Sequence, residues 1–194
     1  SLAELEELSA LCRRYDIPLY LDGARLAYGL AAPDTDVSLA DIARLTDAFY
    51  IGGTKCGALC GEAVVFPRGG MPRHFLTHAK QHGALLAKGR LLGVQFDTLF
   101  TDDLYGEVGR TAAAAADELR RILREAGCTF FRESPTNQQF VVLDNAQVEA
   151  LAEGVRFSTW EKLGDGRTVI RLVTSWSTTP DDLAALKAAL HEVL

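Results

Sequence analysis

Two short apolar runs, each ending in a glycine-marked polar turn, narrow the choice of fold more than any other feature of the chain. Ile17-Pro18-Leu19-Tyr20-Leu21 runs into Asp22-Gly23-Ala24-Arg25, and Ala48-Phe49-Tyr50-Ile51 runs into Gly52-Gly53-Thr54-Lys55-Cys56-Gly57. Between them lies a polar loop at 33–36, after which Ser38 can cap a short helix through Leu45. Apolar runs without polar alternation are the mark of strands covered on both faces, so the pattern predicts a parallel α/β sheet. In such a sheet the carboxyl ends of neighbouring strands line one crevice where ligands bind, and Asp22 and Lys55 both fall there.

The rest of the chain divides in character. A third strand is expected at 63–66, and residues 71–126 read as helical almost throughout, interrupted near 101–103, with the alanine run 112–116 favouring helix and Gly127 stopping it. Strand-like runs follow at 129–132, 138–143, 156–161 and 168–174, with a short helix near 147–153 and a last one at 180–194. That order predicts a small sheet covered by helices, joined to the first part somewhere in the helical stretch. At the start, Ser1 and Glu4 form a capping box, and Leu2, Leu5, Leu8, Cys12 and Tyr15 recur at helical spacing. A chain that opens inside a helix start, without an initiator Met, and whose first strand needs neighbours on both sides, is expected to be the C-terminal part of something longer.

Charge and cysteine content remove several classes of function. With 20 basic and 26 acidic residues the net charge is −6, which leaves no basic excess for nucleic acid or an anionic membrane. There is no apolar stretch long enough to span a bilayer and no secretory signal, so the expectation is a cytoplasmic protein. Cys12, Cys56, Cys60 and Cys128 form no Cys-x-x-Cys pair and read as reduced, mostly buried thiols.

The two strand-end groups suggest a chemistry. A lysine set among Gly and Thr and held out of water can have its amine pKa lowered far enough to condense with an aldehyde. A nearby aspartate can keep a ring nitrogen protonated, and these are the two groups that pyridoxal phosphate needs from a protein. Each has a plainer reading alone: Asp22 as a helix cap or loop anchor, Lys55 as a solvated side chain. The ordered pair of motifs is more specific than either part.

The stretches "PLYLDGARLAYGL", "ADIARLTDAFYIGGTKCGALCGEAVVF", "QHGALLAKGRLLGVQFDTLF", "SPTNQQFVVL" and "VIRLVTSW" resemble the low-specificity threonine aldolases of the β-eliminating lyase group. These are pyridoxal-phosphate enzymes with the aspartate-aminotransferase type of fold. The resemblance implies an α/β fold in which residues 1–102 are the second half of the large cofactor-binding domain, a mainly parallel sheet with helices. Residues 103–194 would be the connecting helix and a small C-terminal α+β domain. It implies that Lys55 carries the cofactor covalently, that Asp22 pairs with the pyridinium nitrogen, that Thr54 touches the phosphate, and that Arg25 and Arg171 hold the substrate carboxylate. The implied reaction cleaves threonine or a related β-hydroxy amino acid to glycine and an aldehyde, in a homodimer or homotetramer. Another pyridoxal-phosphate lyase or racemase, or a non-catalytic module of the same fold, would keep much of the same pattern. Two departures stand out. The family's Gly-Thr phosphate turn and its ring-stacking histidine have no counterpart here, and "GRLLGVQFDTL" replaces a glycine-rich stretch common in the family.

Other residues carry competing readings. His74, His78 and His82 would lie along one helical face, either as the start of a zinc site or, more simply, as a polar stripe, and no metal is expected. Cys56 and Cys60 read as small buried fillers, with Cys56 worth watching for oxidation beside Lys55. Phe49, Tyr50, Phe66, Trp160 and Trp176 read as core residues of strand-like runs, with Trp176 a candidate for the substrate mouth. Lys88 and Arg90 read as solvated helix charges or as phosphate contacts to a neighbouring subunit.

Overall fold

A computed structural model describes residues 1–194, in two compact units, one of Ser1–Leu30 with Asp34–Glu107 and the other of Ala31–Pro33 with Val108–Leu194. In the first unit, α1 (Leu2–Arg14) begins with the reciprocal Ser1–Glu4 capping box, which satisfies two otherwise orphaned N-terminal groups. The buried Ser9 hydroxyl donates to the Leu45 carbonyl at 2.6 Å, tying α1 to the end of α3 (Leu39–Leu45). Helix α3 starts with a second capping box, Ser38 with Asp41. The sheet runs β1 (Tyr20–Leu21), β2 (Ala48–Gly52), β3 (Glu62–Val65) in that spatial order, with α2 (Leu26–Leu30) following β1.

The expected parallel arrangement holds for β1 and β2 only; β3 runs antiparallel to β2. A parallel return needs a crossover of roughly a dozen residues or more, and the link 53–61 is too short to make one. Strand β1 is also shorter than the apolar run suggested. Pro18 has no N–H to give to a ladder, and the Leu19 N–H is taken by the Asp47 carboxylate at 2.8 Å. Ile17 and Tyr20, expected to be covered on both faces, are exposed at 58% and 57%.

The long helical stretch is three helices, α4 (Phe75–Gln81), α5 (Arg90–Phe100) and α6 (Leu104–Glu125). Besides the expected break, where Asp102 and Asp103 take positive φ, residues 82–89 are not helical, and Gly83 there has φ of 73°. His74 stands in the left-handed region just before α4, and His82 lies just past its end. The three histidines therefore do not share one helix face, and no group of three His, Cys, Asp or Glu side chains is placed to hold a metal ion. No helix is long and apolar enough to cross a membrane.

The second unit has an antiparallel sheet in the order β4 (Thr129–Arg132), β5 (Gln138–Asp144), β7 (Arg167–Val173), β6 (Ser158–Lys162). Its core joins Leu119, Ile122 and Leu123 of α6 to Val141, Leu143, Ile170 and Leu172 of the sheet. Leu151 of α7 (Asn145–Ala152) and Leu183, Leu186 and Leu190 of α8 (Pro180–Val193) complete it. The apolar spacing in α6 and α8 is what turns these side chains to one side. Trp160 and Trp176 are not core residues: both are about half exposed, and Trp176 lies in the turn after β7 rather than in a strand.

Candidate active site

Parallel pairing of β1 with β2 places Tyr20 beside Ala48 and Leu21 beside Phe49, so that the next residues along, Asp22 and Tyr50, are neighbours at the carboxyl edge. The ends of the two strands approach closely there. Gly52 N–H donates to the Gly23 carbonyl at 2.9 Å, and a Cβ on Gly23 would run into the Tyr50 carbonyl oxygen. Glycine at 23 is therefore a steric requirement of the turn that carries Asp22.

Asp22 is exposed, and its Oδ1 accepts from the Tyr50 hydroxyl and, at 3.0 Å, from the Ala24 N–H. The Tyr50 hydrogen bond foremost, then the Ala24 one, hold the Asp22 carboxyl below the ordinary carboxylate range, and the charges of Lys55 and Arg25 act in the same direction. The same bond raises the Tyr50 phenol to about 12. Asp22 is thus an anion at neutral pH with cations close enough to matter.

The turn after β2 is held from two sides. The Glu62 carboxylate, at the start of β3 and paired with Gly52, accepts from Gly53 N–H at 2.8 Å and from the Thr54 hydroxyl at 3.0 Å. From α2, the Tyr28 hydroxyl donates to the main-chain carbonyl of Lys55. Gly57, with φ of 97°, supplies the left-handed step that closes the turn. Beyond it, Gln95 of α5 accepts from Leu59 N–H at 2.6 Å. The turn is fixed, but the Lys55 side chain is exposed rather than held out of water as the sequence suggested, because it projects from the turn while neighbouring Cys56 takes the buried position. Cys56 is fully buried and its thiol is pushed up by burial, which makes it a poor target for oxidation. Arg25 is half-buried at the entry to α2, and the Thr54 hydroxyl has already committed its proton to Glu62.

Arg171 lies on β7 in the second unit. Its Nη1 donates to Gln138 Oε1 at 3.2 Å and its Nη2 to Ser158 Oγ at 3.3 Å. The guanidinium sits 5.7 Å from the centre of the Trp160 ring, which in turn packs edge-on against Phe140 at 4.9 Å. Its Nε is buried without a partner. Trp160, not Trp176, is the aromatic residue that this arginine stacks on. Tyr28, Tyr50, Glu62, Gln95 and Trp160 are not among the site residues that the sequence points to. The signal for Tyr50 was the strand register, and for Glu62 the return of β3 beside Gly52.

Residues 1–146 match the family described as beta-eliminating lyase. The chain belongs to that family. Among beta-eliminating lyase relatives, a low-specificity L-threonine aldolase of Pseudomonas aeruginosa is 29% identical over 193 residues, covering 98% of this chain and 55% of that protein. The solved Leishmania major threonine aldolase is 41% identical with a TM-score of 0.92, over 98% of this chain and 56% of that one. A Sphingomonas wittichii serine palmitoyltransferase, 14% identical with a TM-score of 0.71 over 97% of this chain and 50% of that one, shares the fold alone. The chain spans about half the length of the curated relatives it matches.

Protonation in this member of the beta-eliminating lyase family also sets its alkaline stability. Tyr50 is raised to about 12 by its bond to Asp22, Cys128 to about 11 by burial, and Tyr105 and Cys56 upward by burial. Each keeps its proton longer folded than unfolded, so as pH rises the unfolded chain loses protons first and stability falls. The urea midpoint is expected to be level up to about pH 8 and to drop steadily from about pH 9 to pH 12. A midpoint unchanged across that interval would contradict these shifts.

Proposed function

We propose that the protein works as a pyridoxal-phosphate-dependent lyase that breaks the Cα–Cβ bond of threonine or a related β-hydroxy amino acid, giving glycine and an aldehyde. The observation that carries this reading is the donor set at the β1–β2 edge: a primary amine at Lys55 and an ionised carboxylate at Asp22, held below its usual range by the Tyr50 and Ala24 hydrogen bonds and, to a smaller degree, by the charge of that lysine. The donor set fits the cofactor, because one oxygen of Asp22 is already hydrogen-bonded and the other has no protein partner. The likeness to threonine aldolases supports the choice of bond.

Pyridoxal phosphate, when bound, supplies an aldehyde carbon for amines and a protonated ring that takes up the electron pair of the broken bond. Lys55 would hold it through Nζ, and Thr54, whose hydroxyl proton would first have to leave Glu62, would meet its phosphate. Asp22 would keep the ring-nitrogen proton in place by balancing its charge at short range. Arg25 and Arg171 would grip the amino-acid carboxylate, and a guanidinium already stacked and hydrogen-bonded, as Arg171 is, loses little freedom in doing so. By orienting the carboxylate, the arginines would decide which bond at Cα is presented for cleavage. In the overall change the β-hydroxyl loses its proton, the Cα–Cβ electron pair passes to Cα, and Cα regains a proton as glycine forms. A homodimer or homotetramer in the cytoplasm, acting on small amino acids, completes the proposal.

The test is a panel of L-threonine, L-allo-threonine, phenylserine and alanine, with aldehyde and glycine measured together. Equal amounts of both products from the hydroxy amino acids are expected, and nothing from alanine. Racemised alanine without aldehyde would assign a racemase, and cofactor binding without turnover of any member would leave a binding module.

A further inference from the structure

The two donors on Asp22 are not spread over the carboxylate. The Tyr50 hydroxyl and the Ala24 N–H both reach Oδ1, the latter at 3.0 Å, while Oδ2 accepts from no protein group. A free carboxylate can turn about its Cβ–Cγ bond and exchange its oxygens; one with two donors on a single oxygen has a preferred orientation. We propose that Tyr50 is a positioning residue that commits Oδ1 of Asp22 and thereby reserves Oδ2, correctly aimed, for a protonated ring nitrogen; this rests on the cofactor reading above.

Several features single out Tyr50 for this role. The β1–β2 register makes it the residue beside Asp22, one step beyond the Leu21–Phe49 pair. Its ring packs against Tyr20, with centroids 6.3 Å apart and planes 28° from parallel, so the hydroxyl is aimed by a second contact and not by the hydrogen bond alone. Its phenol keeps its proton well past neutral pH, so it acts as a donor whenever Asp22 is charged. The groups whose charges bear on this pair are Glu62 and Tyr20 at Tyr50, and Lys55 and Arg25 at Asp22. Donation from Tyr50 stabilises the carboxylate and makes it a weaker proton acceptor. Asp22 would thus stay unprotonated beside a bound ring nitrogen, where its charge would favour the protonated ring that accepts electrons. A phenylalanine keeps the ring packing on Tyr20 and removes only the donor.

The experiment compares wild type, Tyr50→Phe and Asp22→Asn in three measurements: thermal midpoint, Kd for pyridoxal phosphate by fluorescence quenching, and ultraviolet titration of the tyrosines without cofactor. Expected for Tyr50→Phe are a thermal midpoint lowered by only a few degrees, as the loss of one exposed hydrogen bond allows, and a roughly tenfold weaker Kd. In cofactor-free Asp22→Asn, one late-titrating tyrosine should move toward the ordinary range, which establishes the bond, while the weaker Kd of a still-folded Tyr50→Phe separates positioning of Asp22 from a purely structural role. Wild-type Kd in Tyr50→Phe, or a tyrosine titration untouched by Asp22→Asn, overturns the proposal while leaving the cofactor reading standing. Wild type that binds no pyridoxal phosphate overturns the cofactor reading itself, and the proposal with it.

Discussion

Asp22→Asn is expected to lower kcat on a β-hydroxy amino acid by about 10²–10³-fold, the usual loss when a fixed charge facing a transition-state charge is removed. The amide is nearly the same shape, so the turn built on Gly23 and the Ala24 N–H bond should survive. What disappears is the negative charge, and with it the balance for a protonated ring nitrogen. Because that charge matters most when electrons enter the ring, kcat should fall much further than the affinity for the amino acid. Parallel measurement of kcat and KM checks this, and a kcat within about twofold of wild type would remove Asp22 from the chemistry.

The second large effect lies in the other unit. Leu123→Ala is expected to destabilise by about 2–5 kcal/mol, since Leu123 is fully buried in the cluster joining α6 to β5, β7 and α8. The cost combines lost burial with the cavity left among the packed side chains of the cluster. Urea unfolding followed by circular dichroism measures it; a loss below about 1 kcal/mol would mean that this interface repacks easily.

Much of this could be read from the sequence because it is local. The capping boxes at Ser1 and Ser38, the alanine-rich α6, and β4 through α8 depend on neighbours a few residues apart, and there the expected and observed bounds agree within a few residues. The exposure of Tyr20 could not be read locally, because an apolar run is the same string whether or not something covers it. The antiparallel turn of β3 was hidden for a different reason: an apolar run of four residues carries no direction, and only the length of the 53–61 link decides it.

The site divides in the same way. Asp22 and Lys55 could be found because each closes an apolar run with glycine beside it. Tyr50 reads as a core aromatic, since its value lies in sitting next to Asp22 across a ladder, which no single stretch records. Glu62 carries no signal of its own in the sequence; its place follows from β3 returning beside Gly52, which brings its carboxylate to Gly53 and Thr54. Arg171 was visible from resemblance, but its stacking on Trp160 depends on β6 pairing with β7.

The most direct test of the central claim is borohydride reduction of the protein saturated with pyridoxal phosphate, followed by peptide mass mapping. The chain has five lysines, at 55, 80, 88, 162 and 187, so the outcome is unambiguous. A pyridoxyl group found stoichiometrically on Lys55 is expected. An unmodified Lys55, with label absent or scattered over the other four, would contradict the cofactor reading and the function built on it.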